Sequence, residues 1–284
     1  MDELFKGLLT AGMVLLVMAA ARHGGRRVAG LVAALPTITA PTLAWLAHDE
    51  GLGFAISAAI GSVAACAMLA VFALGYARAA RYGGGAVALA CGLVGALAMA
   101  LPAKAASTDL TSALMLALGC CALTFAAMPR LGTEVVPGHR PRCSMWRVAA
   151  MAGGLTAIAT LVGPAMGGFA AGLLSSLPLI TGPVAMAEHA NGGHRAAAHF
   201  LRAYVGGLFG KAAFGTVFVL LAPRTGALPA LALACACACL LSTVRWRLPF
   251  LGTVSLTMPS LPPIPPIPPI APIRPMTRAP RRAE

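Results

Sequence analysis

The chain has 284 residues, 59% of them hydrophobic and only 10% charged, with a mean hydropathy of +0.84. A soluble domain carries about 25% charged residues, so this balance excludes an ordinary soluble domain and points to a polytopic membrane protein. The formal net charge is +13, but the basic residues are scattered over short connections with no basic domain to gather them, so nucleic acid is not an expected partner.

Apolar runs at 4–22, 28–47, 53–77, 84–103, 108–128, 147–163, 168–187, 199–222 and 226–244 are each read as a span. Each is long enough to cross a hydrocarbon core of about 30 Å as a helix. The fold class this predicts is an all-α transmembrane helical bundle of about nine spans. The first run is not read as a secretory signal: MDELFK begins with two acids, and the RHGGRR that follows would resist export. The cysteines form no disulfide framework, since all but Cys143 lie in apolar runs.

Charge sets the expected orientation, because basic residues favour cytoplasmic connections. With the N-terminus outside, Arg22, Arg26 and Arg27, then Arg78 and Arg81, then Arg130, Arg140, Arg142 and Arg147, then Arg195 and Arg202 all face the cytoplasm. So does the C-terminal segment from Arg245 to Arg282, and only Lys6, Lys104 and Arg224 fall outside. The expected location is a bacterial inner membrane with a cytoplasmic C-terminus. Trp45, Tyr76, Tyr82, Trp146, Tyr204 and Trp246 sit near span ends, where aromatic rings favour the headgroup region.

The second run holds LPTITAP (35–41), two prolines and two threonines inside a stretch that must cross lipid. The seventh holds LPLITGP (177–183). Aligning AGLVAALPTITAP (29–41) with AGLLSSLPLITGP (171–183) gives eight identities in thirteen positions at an offset of 142 residues. The same offset carries the first, third and fourth runs onto the sixth, eighth and ninth. Each unit then holds five crossings, an odd number, so the second copy enters the membrane in the opposite sense. Inverted five-helix repeats are a recurring plan of secondary transporters. The expected organisation is a first repeat of five spans at 1–142, a second of four spans at 143–258, and a C-terminal tail at 259–284.

A tenth span is due near 250–270, where the sequence reads FLGTVSLTMPSLPPIPPIPPIAPIRP. Prolines at this density remove donors and clash with preceding carbonyls, so no lipid-facing helix forms there. Residues 259–284 read as a polyproline-like, disordered tail with a basic end. Either the last helix has been lost or the end of the reading frame has diverged.

A proline inside a helix deprives the carbonyl four residues earlier of its donor, and in lipid such a group must find protein, water or substrate. Pro36 and Pro41 are expected to free the carbonyls of Val32 and Thr37, and Pro178 and Pro183 those of Leu174 and Leu179. Thr37, Thr39, Ser175, Ser176 and Thr181 supply hydroxyls beside these breaks. Two broken helices meeting at mid-depth would make a polar patch for a solute. The alternative is a pair of ordinary proline kinks whose hydroxyls bond back to their own helices.

Lys211 is the only charged residue well inside a predicted span, and no Asp or Glu lies deep in any. A lysine at depth faces the bundle interior or water, or snorkels to the interface. Its counter-charge would be a substrate anion or exposed carbonyls, or none if the lysine is neutral. Glu188, His189, His194 and His199 read as a solvated connection, since histidines five apart fall on different helix faces and no metal-ligand spacing is completed. No metal or other cofactor is expected. Gly206, Gly207, Gly210 and Gly215 read as packing residues, and no nucleophile-base pair or phosphate loop suggests an enzyme.

The pattern AGLxxxLPxITxPxxxxxxxxxG, at 29–51 and 171–193, resembles that of a broad group of uncharacterised bacterial integral membrane proteins in which a Leu-Pro-x-Thr-x-Gly-Pro element recurs in two halves. The resemblance covers most of 28–244 and implies a topology but no substrate. More loosely, the plan is similar to five-plus-five inverted-repeat carriers such as drug/metabolite transporters and bile acid/sodium symporters, whose motif residues this chain does not match. The expected function is a secondary transporter, exporter or permease, of a small polar or anionic solute. The alternative is a non-transporting scaffold or accessory protein in envelope biogenesis. Partners are the lipid bilayer and a small-molecule solute, with a homo-oligomer left open.

Overall fold

The structure, a computed structural model, describes residues 28–37, 39–106, 109–128, 167–176, 178 and 180–247, together with isolated positions between 8 and 23 and at 149, 150 and 154. The predicted spans at 4–22 and 147–163, apart from those positions, and the Pro-rich tail lie outside the described residues. So do Arg130, Arg140, Arg142 and Trp146.

The described residues are all-helical. In chain order they form α1 (helical over 28–34), α2 (Thr39–Asp49), α3 (Leu52–Ala79), α4 (Gly85–Ala98), α5 (Ala100–Ala105), α6 (Leu110–Ala127), α7 (Gly168–Ser175), α8 (Thr181–Thr225) and α9 (Ala227–Arg247). Among them, five helical stretches are long and apolar enough to cross a membrane: Val28–Asp49, Leu52–Ala79, Gly85–Ala105, Leu110–Ala127 and Thr181–Thr225.

Local sequence explains where these helices start and stop. Gly51, at φ 91° and ψ 164°, turns the chain from α2 into α3 in a conformation that only glycine adopts readily. The 28 residues of α3 then rise about 42 Å at 1.5 Å each. Pro102 lacks an amide hydrogen, which leaves the carbonyl of Ala98 without its donor. At this point, around Met99, α4 gives way to α5. Asp109 caps α6, its carboxylate accepting from the Ser112 amide at 3.2 Å. Pro229 stands in the first turn of α9, where its missing donor costs nothing.

Helix α8 spans 45 residues, but Gly193 inside it has φ 72° and ψ −174°, which is not helical. It is therefore two arms meeting at a corner, 181–192 and 194–225. The predicted solvated connection over 188–198 is corrected accordingly: helix runs up to Gly193 and resumes directly after it.

The long helix α3 lies at the centre, packed against α2, α4, α6, α7 and α8, while α8 also packs on α6 and α9. The buried part of α3 carries many small side chains, with Ala58, Ala59, Ala64, Ala67, Ala70 and Ala73 all fully buried. The helices meet by backbone. A Cβ on Gly172 of α7 would overlap the carbonyl of Ala58, one on Gly61 that of Phe169, and one on Gly30 of α1 that of Phe200. Gly207 and Gly215 likewise sit against Ala34 and Val63, which is the close approach small residues permit.

Large apolar side chains fill the interior between these contacts, with Phe72, Phe200, Phe214, Phe218, Leu69 and Leu201 fully buried, and others face outward, among them Val94, Leu97 and Leu101 on α4 and α5, Met115 and Leu123 on α6, and Leu228, Leu233 and Leu240 on α9. Close small-residue contacts between helices under a leucine-rich exterior suit a lipid surround. The aromatic reading is corrected in part. Tyr82 is exposed, but Tyr76 and Tyr204 turn into the bundle, at 0% and 3% exposure.

Candidate functional site

Both proline motifs interrupt helical structure, and they do so alike. At the first, α1 closes with the Leu35 amide on the Val32 carbonyl (3.1 Å), and α2 opens with the Ala40 amide on the Pro36 carbonyl (2.9 Å). At the second, α7 closes with the Ser176 amide on Leu173 (3.2 Å), and α8 opens with the Gly182 amide on Pro178 (2.8 Å).

Two expectations change in detail. The Val32 carbonyl is not left bare, because a tighter turn brings the Leu35 amide to it. Pro41 and Pro183 fall in the first turns of α2 and α8, where the amide has no intrahelical partner in any case. The second proline of each motif therefore starts a helix rather than breaking one.

Of the residues singled out from sequence, Pro36, Pro178 and Pro183 are buried, and so are Thr39 (4% exposed), Ser176 (3%), Thr181 (2%) and Lys211 (8%). Thr37 and Pro41 are half-buried. Ser175 lies in the last turn of α7, and its side chain is outside the described set.

The second motif meets polar side chains on two other helices. Ser176 Oγ lies 2.9 Å from Ser62 Oγ of α3. The Thr181 hydroxyl hydrogen-bonds with Tyr204 of α8. Cys66, one turn beyond Ser62, donates to the Ser62 carbonyl at 3.6 Å and accepts Cys121 Sγ of α6 on its own carbonyl at 3.7 Å. Cys66 also lies within electrostatic reach of both Tyr204 and Lys211. Tyr204 and Lys211 are seven residues, two turns, apart and share a face of α8. The result is a buried polar strip of Ser176, Ser62, Thr181, Tyr204, Cys66 and Lys211 inside an alanine interior. Among the described residues, no hydrogen bond links Thr37 or Thr39 of the first motif to it.

The sequence had marked Ser176, Thr181 and Lys211 but not Ser62, Cys66 or Tyr204. Ser62 is a lone serine in an alanine-rich run, and Tyr204 was assigned to the headgroup region.

At one side of this strip Arg202 holds α6 to α8. Its Nη1 donates to the carbonyls of Phe125 (2.9 Å) and Met128 (2.6 Å), and its guanidinium sits 4.3 Å from the Phe125 ring centre. A cation at a helix C-terminus meets the unpaired carbonyls and the negative end of the dipole together. Among the described residues no group of three His, Cys, Asp or Glu side chains is placed to hold a metal ion.

These features define an all-helical protein whose long apolar helices are compatible with an integral membrane protein, carrying a buried polar strip at a helix break. No protein-family model, no curated protein and no solved structure matches the chain.

Proposed function

We propose that the chain is a secondary transporter of the bacterial inner membrane, an exporter or permease of a small polar or anionic solute. Its site lies at the two proline breaks, with the N-terminus outside and the C-terminus in the cytoplasm. The observation that carries this reading is the buried strip around the second break. Paired hydroxyls and a lysine amine are lodged there, and of these the amine is the group whose burial is unfavourable. A lysine at the centre of a membrane helix costs at least about 2.5 kcal/mol, and Lys211 is 8% exposed with no carboxylate acting on it among the described residues. An anionic group on the solute would neutralise it.

Support for an inverted repeat comes from geometry that recurs at the 142-residue offset. Gly51 and Gly193 share a positive φ with extended ψ. The Pro36–Ala40 bond matches the Pro178–Gly182 bond. Gly30 lies on Phe200 while Gly172 lies on Ala58, and Phe200 is Ala58 displaced by the same 142 residues. Reciprocal contacts of this kind are what a two-fold axis generates. With five crossings per unit, that axis lies in the membrane plane.

The test is to replace Thr39 and Thr181 with Val and Lys211 with Met in the native host, then compare solute sensitivity with a deletion strain while following protein level. Loss of a solute-linked phenotype at normal protein level is expected. Unchanged function in all three would remove the site and favour the scaffold reading. Reporter fusions after Arg147 and at the C-terminus are expected to report the cytoplasm, and either one reporting outside overturns the orientation.

A further inference from the structure

Away from the polar strip, three elements meet around Gly85: the last turns of α3, the first turn of α4 and the end of the first arm of α8. Tyr76 of α3 is fully buried, and its Oη makes no hydrogen bond. His189 of α8 is half-buried, and its buried Nδ1 likewise has no hydrogen-bond partner among the described residues. The two rings stand edge to face with centres 6.2 Å apart. Both polar atoms lie beside Gly85, because a Cβ built there would lie 3.6 Å from Tyr76 Oη, 3.9 Å from His189 Nδ1 and 3.9 Å from Met186 Cγ.

Helix α4 opens beside these atoms. Its N-cap, Gly84, brings no side-chain hydrogen bond, and the first amide with an intrahelical acceptor is that of Ala88, on the Gly84 carbonyl at 3.0 Å. The amides of Gly85, Ala86 and Val87 are therefore donors at the positive end of a 14-residue helix. Buried hydroxyls and imidazoles in folded proteins are hydrogen-bonded almost without exception. Two that lack protein partners, converging on a helix N-terminus, mark a place where a ligand supplies the partner.

We propose that this notch binds one oxygen of a small oxyanion, a carboxylate or phosphate group. The chemistry selects an acceptor: the α4 amides can only donate, while Tyr76 and neutral His189 can each turn a proton toward the ligand. Arg78 and Arg81, exposed at the end of α3 and just beyond it, add positive potential nearby. The oxyanion is either a free anion or the headgroup phosphate of a lipid, since both present the same oxygen. The notch stands independently of the transport reading and uses none of its residues.

The test uses purified full-length protein in nanodiscs of neutral lipid, titrated with inorganic phosphate and with acetate. A parallel sample sits in nanodiscs containing phosphatidylglycerol. Thermal stability and the 15N resonance of His189, assigned by its loss in His189→Gln, are the readouts. A saturable rise in melting temperature with a shift of the His189 resonance is expected. Gly85→Ala, whose added methyl meets its neighbours only at ordinary contact distances, abolishes both effects. Tyr76→Phe weakens binding about tenfold, the worth of one hydrogen bond. A response to soluble anions in neutral lipid identifies a free anion, and a response only with phosphatidylglycerol identifies a headgroup. An equal response in wild type and Gly85→Ala, or none in any arm, overturns the proposal.

Discussion

Gly51 and Gly53 stand two residues apart, and a Cβ at either would meet nothing within 4 Å. Sterically the two alanine substitutions are equivalent, yet they are expected to act in opposite directions. Gly53 is in the first turn of α3, so alanine there lowers the entropy lost on folding and stabilises by up to about 1 kcal/mol. Gly51 holds φ 91° and ψ 164°, a region all but closed to residues with a Cβ, and alanine there costs about 1–3 kcal/mol. The two variants should therefore differ by about 1–4 kcal/mol, all of it from the backbone. Equilibrium unfolding in mixed detergent micelles, followed by tryptophan fluorescence, measures the difference. Gly193→Ala, with φ 72° and equally open surroundings, should behave like Gly51→Ala. If Gly51→Ala proves as stable as Gly53→Ala, the corner between α2 and α3 is not held by the backbone state assigned to it.

Gly172→Ala should be far more damaging than either, because the added methyl overlaps the Ala58 carbonyl and forces α3 and α7 apart; the yield of folded protein in detergent reads this out, and a wild-type yield would contradict the packing. Ser62→Ala and Ser176→Ala should show coupling in a double-mutant cycle of about 0.6 kcal/mol, with about 1.7 as the upper bound for membrane hydrogen bonds; strict additivity would mean that the 2.9 Å contact contributes nothing. Arg202→Lys should lose about 1 kcal/mol or more, because a single ammonium cannot reproduce a planar group that donates to two carbonyls and covers a ring. Melting temperatures of the lysine and alanine variants would be similar, and full rescue by lysine would refute the geometry.

Much of the helical plan was legible in the sequence because apolar length is a one-dimensional property. The run at 53–77 became Leu52–Ala79, and that at 226–244 became Ala227–Arg247. The interruptions at 35–38 and 176–180 were legible through proline, whose missing donor is a covalent fact. What each side chain faces was not legible. Alanine and leucine surround these helices on every side, so no periodicity separates interior from lipid. Tyr76 and Tyr204 were therefore placed by depth alone and assigned to the headgroups, when both turn inward. The corner at Gly193 was hidden because NGGHR reads equally well as a loop. Ser62 and Tyr204 could not be paired with Ser176 and Thr181, since their partners lie 114 and 23 residues away and only tertiary packing brings them together.

The alanine and glycine positions at which these helices touch change which substitutions carry information. Ala58, Ala64, Ala70, Ala196 and Ala197 are fully buried and have almost nothing to lose, so truncation leaves them nearly silent where a leucine core would register each missing methylene. Substitution in the other direction is severe, because each added methyl must displace a neighbouring backbone rather than fill a gap. Alanine scanning would register buried Phe72, Phe200, Phe214, Leu69 and Leu201 but pass over these contacts, which an Ala→Val series would trace one by one. Neutral drift at these contacts is accordingly bounded from above, by residue size.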